Sequence, residues 1–369
     1  MKAGKINIAI VDPVGMMAGM DYYDRKLAAS LFGKNSNCSI YSNFSENKNE
    51  IRAFPFKVQR GFFFKVFIPF RFNQVVKKLV DEKTDIVIYH LFHANKIDHW
   101  FLKRLVEKGI KLHLILHDVD SHLKKGDEVS MLEQCLDIAS KIYVHSNYSI
   151  RELNTKFGAK YEQKTIFAPH GNFLDLPSAV NRTEARQKLK LEEDAFYVLF
   201  FGMIKPTKGL DILLEAMKGL TCKLIVAGRP RRSSLNDVQS TLNAIGQEGR
   251  LHSMIRYIPN DERDLLFKAA DLIALPYKRI YQSGVLLMAM SYGLPVIVSD
   301  LEAFREVVND GENALMFKSE NVKDLRAKIT AVMNDYPQAM QRAERAKAQI
   351  TVRNDWQLIG NAILKEISL

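Results

Sequence analysis

Short apolar runs recur along the chain between longer segments of helical periodicity. In the first half Ile6–Val11, Asp85–Tyr89, Leu112–Leu116 and Lys141–Val144 read as buried strands. In the second half Phe196–Phe201, Lys223–Ala227, Ile255–Tyr257, Leu272–Leu275 and Pro295–Val298 do the same. Strands that alternate with helical patterns predict βαβ units, hence a parallel, doubly wound sheet in each half and an α/β fold class. Gly171 to Thr183 holds Gly171, Pro177 and few helix formers, and is the predicted linker. The reading is a first domain over 1–175, a second over 176–354, and a last helix in 355–369 apolar enough to dock back on the first domain. No internal repeat and no low-complexity tract interrupts this pattern.

Composition agrees with two cores. The 369 residues are 47% apolar and 26% charged, an ordinary globular balance. Three scattered cysteines, Cys38, Cys135 and Cys222, argue against a disulfide framework or a zinc site and fit a reducing compartment. The opening MKAGKINIAIVDPVG has only a six-residue apolar run and reads as a strand, not a signal peptide. No window is long and apolar enough to span a bilayer. The net charge of +11 implies an anionic partner: nucleic acid, a membrane surface or a phosphorylated small molecule. No recognition-helix or stacking motif supports nucleic acid.

Ligands of such sheets bind at the carboxyl ends of the strands, so the loops there carry the candidate chemistry. After Phe201, Gly202 and Gly209 bracket a loop with Lys205 and Lys208, followed by a helix with Leu210, Leu213, Leu214 and Met217 on one face. Backbone N–H groups, a helix start and a lysine suit a phosphate, although a solvated loop with two surface lysines reads the same way. Arg229, Arg231 and Arg232 follow the next strand; they could clamp a phosphate or form a solvated face. The backbone at Ile258 could read a nucleobase edge. In YQSGVLLMAMSYGLPVIVSD, Ser283-Gly284 precedes an uncharged helix. The N–H groups of Gly284, Val285 and Leu286 and the Ser283 hydroxyl would then face an anion.

FGMIKPTKGLDILLEAM, the glycine after the strand in LIVAGR, and SGVLLMAMSYGLPVIVSDLEAFREVVNDGENALMF occur in an order that resembles the nucleotide-binding domain of GT-B glycosyltransferases, specifically glycosyltransferase family 4. The resemblance covers roughly Phe196 to Leu325 well and the first half in outline. It implies two Rossmann-like domains facing a central cleft. The second would bind a nucleoside-diphosphate sugar linked to GDP or UDP. The first would bind a glycan or lipid-linked acceptor in surface polysaccharide or glycoconjugate assembly. Lys208 matches the family lysine that grips the diphosphate. The family arginine position is Met203 here, so Lys205 or Arg229 would substitute. The two acids of the family Glu-x7-Glu motif fall on Ile280 and Met288 and are absent. That departure bears on the donor and on retention or inversion, and leaves a catalytically inactive binding protein of the same fold as an alternative. No cofactor and no metal are expected.

In the first half, eight of the nine histidines lie between His90 and His170. His117 sits at a strand end in LILHDVDSH, where the resemblance implies contact with donor sugar and acceptor. A neutral imidazole there can bond a hydroxyl or relay a proton. The same segment offers His117, Asp118, Asp120 and His122 as metal-binding types, which would suit a metal-dependent phosphoesterase, the alternative of a different class. Gly15 and Gly19 loosen the loop before the next helix; in similar transferases that loop faces the donor phosphates or acceptor, and Gly19 is the better match. Asp21 is a base if the enzyme inverts, or a helix N-cap. His145 and His170 also follow strands, and either could line the cleft or serve the structure. Lys57 to Lys78 holds six basic residues, six phenylalanines and no acid, which would suit an anionic bilayer, with Pro69 limiting any helix. The expected location is cytoplasmic, with peripheral contact at the inner face of the plasma membrane.

Overall fold

The computed structural model describes residues 5–54, 62–119, 127–231, 235–236 and 238–368, with the side chains at 17–18, 62–67, 127–129 and 368 left aside. The chain forms two compact units. One comprises residues up to Gly171 together with Trp356 onward; the other is Asn172–Asp355.

Unit 1 holds β1 (Ile6–Val11), β2 (Ser36–Ser42), β3 (Glu50–Arg52), β4 (Ile86–Leu91), β5 (Lys111–Leu116), β6 (Lys141–Val144) and β7 (Thr165–Phe167). Their order in the sheet is β3-β2-β1-β4-β5-β6-β7, and every pairing is parallel. All six residues of β4 are buried, as expected of a strand covered on both faces. Unit 2 holds β8 (Tyr197–Phe201), β9 (Lys223–Ala227), β10 (Leu251–Met254), β11 (Leu272–Leu275), β12 (Val296–Ser299) and β13 (Leu315–Phe317). Their order is β10-β9-β8-β11-β12-β13, again parallel throughout. Each order reverses once, between β1 and β4 in unit 1 and between β8 and β11 in unit 2. Doubly wound sheets open a ligand crevice at such reversals, at the carboxyl ends of the strands.

Two expectations need correction. The strand expected at Ile255–Tyr257 is instead Leu251–Met254, paired with β9 from Leu251↔Leu224 to Met254↔Ala227. Strand β9 ends at Ala227, and the Gly228 N–H closes the ladder on Met254 O at 3.0 Å. Nothing is left for Ile255 to pair with. Pro69 does not limit its helix, which runs Phe62–Asp81. The turns beyond the proline bury Phe72, Val75, Val76 and Leu79 at helical spacing, and that packing outweighs one missing N–H. Strands β2, β3, β7 and β13 are not among the expected ones: β2 is broken up by serines and an asparagine, and the other three are only three residues long.

The last helix, Trp356–Ser368, lies on helix Asp21–Leu31 within unit 1. Trp356, Ile359, Ile363 and Ile367 share one apolar cluster with Tyr23, Leu27, Leu31 and residues of β1, β2 and β4. In unit 2, Arg186 is fully buried and bonds Asp271 at 2.6 Å, while Asp271 accepts from the Tyr197 N–H at 2.7 Å. That network ties helix Arg182–Lys188 to the start of β8. Among the described residues no helix is long and apolar enough to cross a membrane.

Candidate functional site

The reversal between β8 and β11 gathers the unit 2 candidates. Beyond Phe201 the chain turns at Gly202, and Ile204 makes a parallel bridge to Pro230, with Ile204 N–H bonded to Arg229 O and Arg231 N–H to Ile204 O. The loops after β8 and β9 are therefore laced together. A short 3-10 turn, Pro206–Lys208, then delivers Gly209 in the left-handed region at φ 66°. A Cβ at Gly209 would lie 1.8 Å from Pro276 O, and one at Gly228 would lie 1.8 Å from Gly202 O. Both positions need glycine because another stretch of backbone passes there. The loop after β11 is drawn in by the Lys278 N–H, which bonds Thr207 O at 3.0 Å.

Lys208 Nζ lies 3.6 Å from the centroid of the buried Tyr277 ring. This cation–π contact fixes the ammonium against one wall of the crevice. Ser283 caps helix Gly284–Tyr292, its hydroxyl accepting from Leu286 N–H at 3.2 Å. The Leu286 N–H is thus committed to the cap and is not available to an anion, contrary to the sequence expectation. Gly284 and Val285 keep first-turn N–H groups that have no acceptor inside the helix. Val285 Cγ2 is 3.7 Å from where a Gly202 Cβ would be, so the helix start and the β8 loop adjoin. Lys205 is half-buried, whereas Arg229 and Met203 are exposed on their loops; Arg232 lies outside the described residues. Ile258 follows β10 by four positions and its side chain is buried. Ile280 and Met288 place no carboxylate here, and Met288 is buried inside its helix.

In unit 1 the carboxyl ends of β4, β5, β6 and β7 each carry a histidine: His90, His117, His145 and His170. All four are buried. Their rings surround Tyr23, with centroid distances of 5.3, 6.4, 5.7 and 4.9 Å respectively. His90 Nδ1 and His117 Nε2 are 2.9 Å apart, and Phe92 stacks on the His117 ring at 4.1 Å and 4°. His145 Nδ1 donates to Ala168 O and His170 Nδ1 to Gly171 O, both at 2.7 Å. Burial keeps the array neutral. It lowers His90 and His170 to about 3 and His145 to about 4, and holds His117 well below the usual histidine range, with the neighbouring imidazoles adding to the effect at His90, His117 and His170.

At the β1/β4 reversal, Asp12, Asp24 and His90 bring ligand atoms within 4.8 Å of one another, all buried. Among the described residues this is the group that could hold a cation. Burial raises Asp12 to about 6 against the pull of the Gly15 and Val14 N–H groups. Burial, and then the Asp12 charge, raise Asp24 well above the usual carboxylate range. The 3.3 Å contact between His90 Nε2 and Asp24 Oδ1 is thus a contact of neutral groups rather than an ion pair. Neither Asp12 nor Asp24 stood out in the sequence as chemistry; only the sheet order brings them to the histidines.

The remaining candidates are placed as follows. Gly19 has φ 71° and faces open space, whereas a Cβ at Gly15 would strike Ser42 Oγ. Asp21 is not an N-cap, because Met20 occupies that position, and its carboxylate lies 3.7 Å from Arg25. Arg25 is held in turn by Glu46 and Glu50 at 2.8 Å. Asp118 is half-buried beside His117, while Asp120 and His122, half of the metal-binding alternative, lie outside the described residues. The segment at 57–78 is described only from 62 onward, with side chains from Ile68. There Phe70, Arg71, Lys77 and Lys78 are exposed.

Comparison with known proteins fits this geometry. Residues 181–349 match the family model of glycosyl transferases group 1. A D-inositol 3-phosphate glycosyltransferase of Geodermatophilus obscurus is 28% identical over 213 residues, 54% of this chain and 47% of that protein. A GDP-mannose:glycolipid 4-beta-D-mannosyltransferase of Xanthomonas campestris pv. campestris is 26% identical over 166 residues, 44% of this chain and 46% of that protein. The chain thus spans about half the length of the curated relatives it matches. Among solved structures, sucrose-phosphate synthase from Thermosynechococcus elongatus superposes with a TM-score of 0.81 at 18% identity, covering 99% of this chain and 98% of that one. HepE of Anabaena in complex with UDP and glucose gives 0.77 at 17% identity, covering 98% and 99%. The two parallel sheets have the GT-B architecture, and residues 181–349 are similar to the group 1 glycosyltransferases.

Proposed function

We propose that the protein is a glycosyltransferase that moves a hexose from a GDP- or UDP-linked donor to a glycan or lipid-linked acceptor, without a metal ion. The observation that carries the donor half is the convergence at the β8/β11 reversal: Lys208 held over Tyr277, the Gly202 turn, and the helix start at Gly284 and Val285. Leaving of the diphosphate develops negative charge, and fixed N–H dipoles with an ammonium stabilise it. Lys205 or Arg229 would supply a second positive group. The relatives support the donor class: one is named for GDP-mannose and a glycolipid, and one solved neighbour holds UDP and glucose. In unit 1, His117 would bond the transferred sugar or the acceptor hydroxyl.

The test is a thermal-shift screen of the full chain against UDP, GDP, ADP, CMP and their sugar conjugates, with Mg²⁺ or with EDTA. The expected result is a rise in Tm with one nucleoside diphosphate, equal in both conditions and lost in Lys208→Ala. No rise with any nucleotide, or a rise only with Mg²⁺, would refute the donor assignment or its metal independence. Peripheral contact of helix Phe62–Asp81 with anionic lipid is part of the reading, through Phe70, Arg71, Lys77 and Lys78. Co-sedimentation with phosphatidylglycerol vesicles that is undiminished in Lys77→Glu/Lys78→Glu would remove it.

A further inference from the structure

Five polar groups, all but the first buried, form a line across the β1/β4 reversal of unit 1. It begins at Val14 N–H, which donates to Asp12 Oδ1 at 2.8 Å. It passes from Asp12 to Asp24, whose carboxylates lie within 4.8 Å of each other and of His90 Nε2. It continues from Asp24 Oδ1 to His90 Nε2 at 3.3 Å and ends at the 2.9 Å contact of His90 Nδ1 with His117 Nε2. Asp12, Asp24 and His90 are at most 1% exposed. Asp12 Oδ2, both oxygens of Asp24 and His90 Nε2 have no settled protein partner beyond one another. Buried polar atoms are satisfied, so protons along this line must be arranged to join them.

The chemistry of the groups leaves few arrangements. Two adjoining buried carboxyls share a proton rather than both ionise. Asp12 already accepts a backbone N–H, so it is the better anion, and the shared proton belongs to Asp24, donated toward Asp12. The second oxygen of Asp24 is then an acceptor, and His90 Nε2–H donates to it. His90 Nδ1 is left with a lone pair. It must accept from His117 Nε2–H, since two lone pairs do not approach to 2.9 Å. His117 is left with its lone pair on Nδ1, and among the described residues nothing bonds that atom. Phe92, stacked at 4.1 Å, stops the ring from turning over.

We propose that Asp24 and His90 are positioning residues which fix His117 as its Nε2–H tautomer, so that His117 Nδ1 is held ready to accept a hydrogen bond from a sugar hydroxyl. This rests on the reading of His117 as a sugar-contacting residue, and the tautomer itself does not. A divalent cation among Asp12, Asp24 and His90 would satisfy the same atoms, but it would need both carboxylates ionised away from water. One shared proton suffices instead.

The experiment is a long-range ¹H–¹⁵N correlation of the imidazoles in the full chain labelled with ¹⁵N-histidine, at pH 7. The signals of His117 and His90 are identified by their loss in His117→Asn and His90→Asn. The expected spectrum has protonated Nε2 and lone-pair Nδ1 at both residues. Asp24→Asn, which copies a protonated acid, should keep this pattern. His90→Leu should release His117 into mixed tautomers. Should His90→Leu fail to fold, His90→Asn serves in its place: its side-chain oxygen stands near the lost Nδ1, and the His117 pattern should survive. A wild-type His117 with Nδ1–H, or a His117 pattern indifferent to a folded His90→Leu, overturns the proposal. So does a shift of the His90 signals on adding Zn²⁺, which would mean a cation site. With the donor that raises Tm, Asp24→Ala should lose ~10-fold or more in kcat with KM little changed, and Asp24→Asn should recover most of it. If no donor binds, the transferase reading falls while the spectrum still decides the tautomer.

Discussion

Gly209→Ala isolates the loop geometry of the proposed nucleotide site from its charges. The added methyl carbon would stand 1.8 Å from Pro276 O, whereas real contacts of this kind do not fall below 3.0 Å. Pro276 O is backbone at the end of β11 and cannot rotate aside. The β8 loop must therefore withdraw by roughly 1 Å, carrying Lys208 off the Tyr277 ring, and misplacement on the order of 1 Å costs about 10²-fold where alignment matters. The left-handed φ of 66° adds about 1 kcal/mol or more of backbone strain for alanine. The variant should thus lose several degrees of Tm and bind its nucleoside diphosphate about 100-fold more weakly, close to the loss in Lys208→Ala. Isothermal titration of UDP and GDP into both variants and the wild type, alongside a melting curve, reads both quantities. A Gly209→Ala protein that melts lower yet binds with unchanged Kd would refute the reasoning, because the loop would have moved without disturbing the site.

Stability should fall steeply on mild acidification. His90, His113, His117, His145 and His170 are all held below 6.5 by burial, so below that pH the unfolded chain takes up protons that the folded chain refuses. Asp12 and Asp24, raised by burial, act in the opposite sense: their stabilisation is present at low pH and is lost as pH rises through about 6 for Asp12 and higher for Asp24. Five imidazoles against two carboxyls leave a net loss on the order of 4 kcal/mol per pH unit at most between about pH 6 and 4. Urea denaturation should show a lower midpoint at pH 5 than at pH 7; an equal or higher one would mean that the array is solvated. Trp356→Ala should destabilise unit 1 by ~3–5 kcal/mol, since the ring is 7% exposed and packs edge-on to Tyr23 at 5.0 Å. A melting temperature unchanged in that variant would mean that the last helix is not part of the unit 1 core.

What could be read in the sequence followed how local each signal is. Parallel strands such as β1, β6 and β9 are contiguous apolar runs between helical patterns, and their limits were readable from composition alone. The loops after β8 and β11 carry glycines and lysines within a few positions of a strand end, so their place at the sheet edge was readable too. Their interlock through Pro276, Thr207 and Tyr277 was not, because it depends on backbone crossings between loops far apart in the chain. The histidines were visible as a crowd but not as an array. His90, His117, His145 and His170 are spaced by 25 to 28 residues, one βαβ repeat each, and only a sheet that seats β4 to β7 side by side turns that spacing into contact. Asp12 and Asp24 carry no local signal at all: one follows a strand and the other lies in the next helix, and only the folded sheet sets them beside His90. Strand β10 lies a few residues before the more apolar stretch at Ile255 and Tyr257, because register with β9 ends at Met254.

Unit 2 is, in the order of the chain, an excursion that leaves unit 1 at Gly171 and returns to it at Trp356. The returning helix presses so close that a methyl at Gly360 would meet Ser30 Oγ at 2.4 Å, and the Trp356 ring occupies the space beside Gly171. During synthesis, the first 171 residues emerge without the part that covers helix Asp21–Leu31. They must wait while everything up to Asp355 is made. Unit 2, whose sheet and helices are contiguous in the chain, can close first. The older half of the protein is therefore the later one to mature, and a chain halted before Trp356 would present the ribosome's surroundings with an open apolar face on unit 1 while unit 2 is already closed.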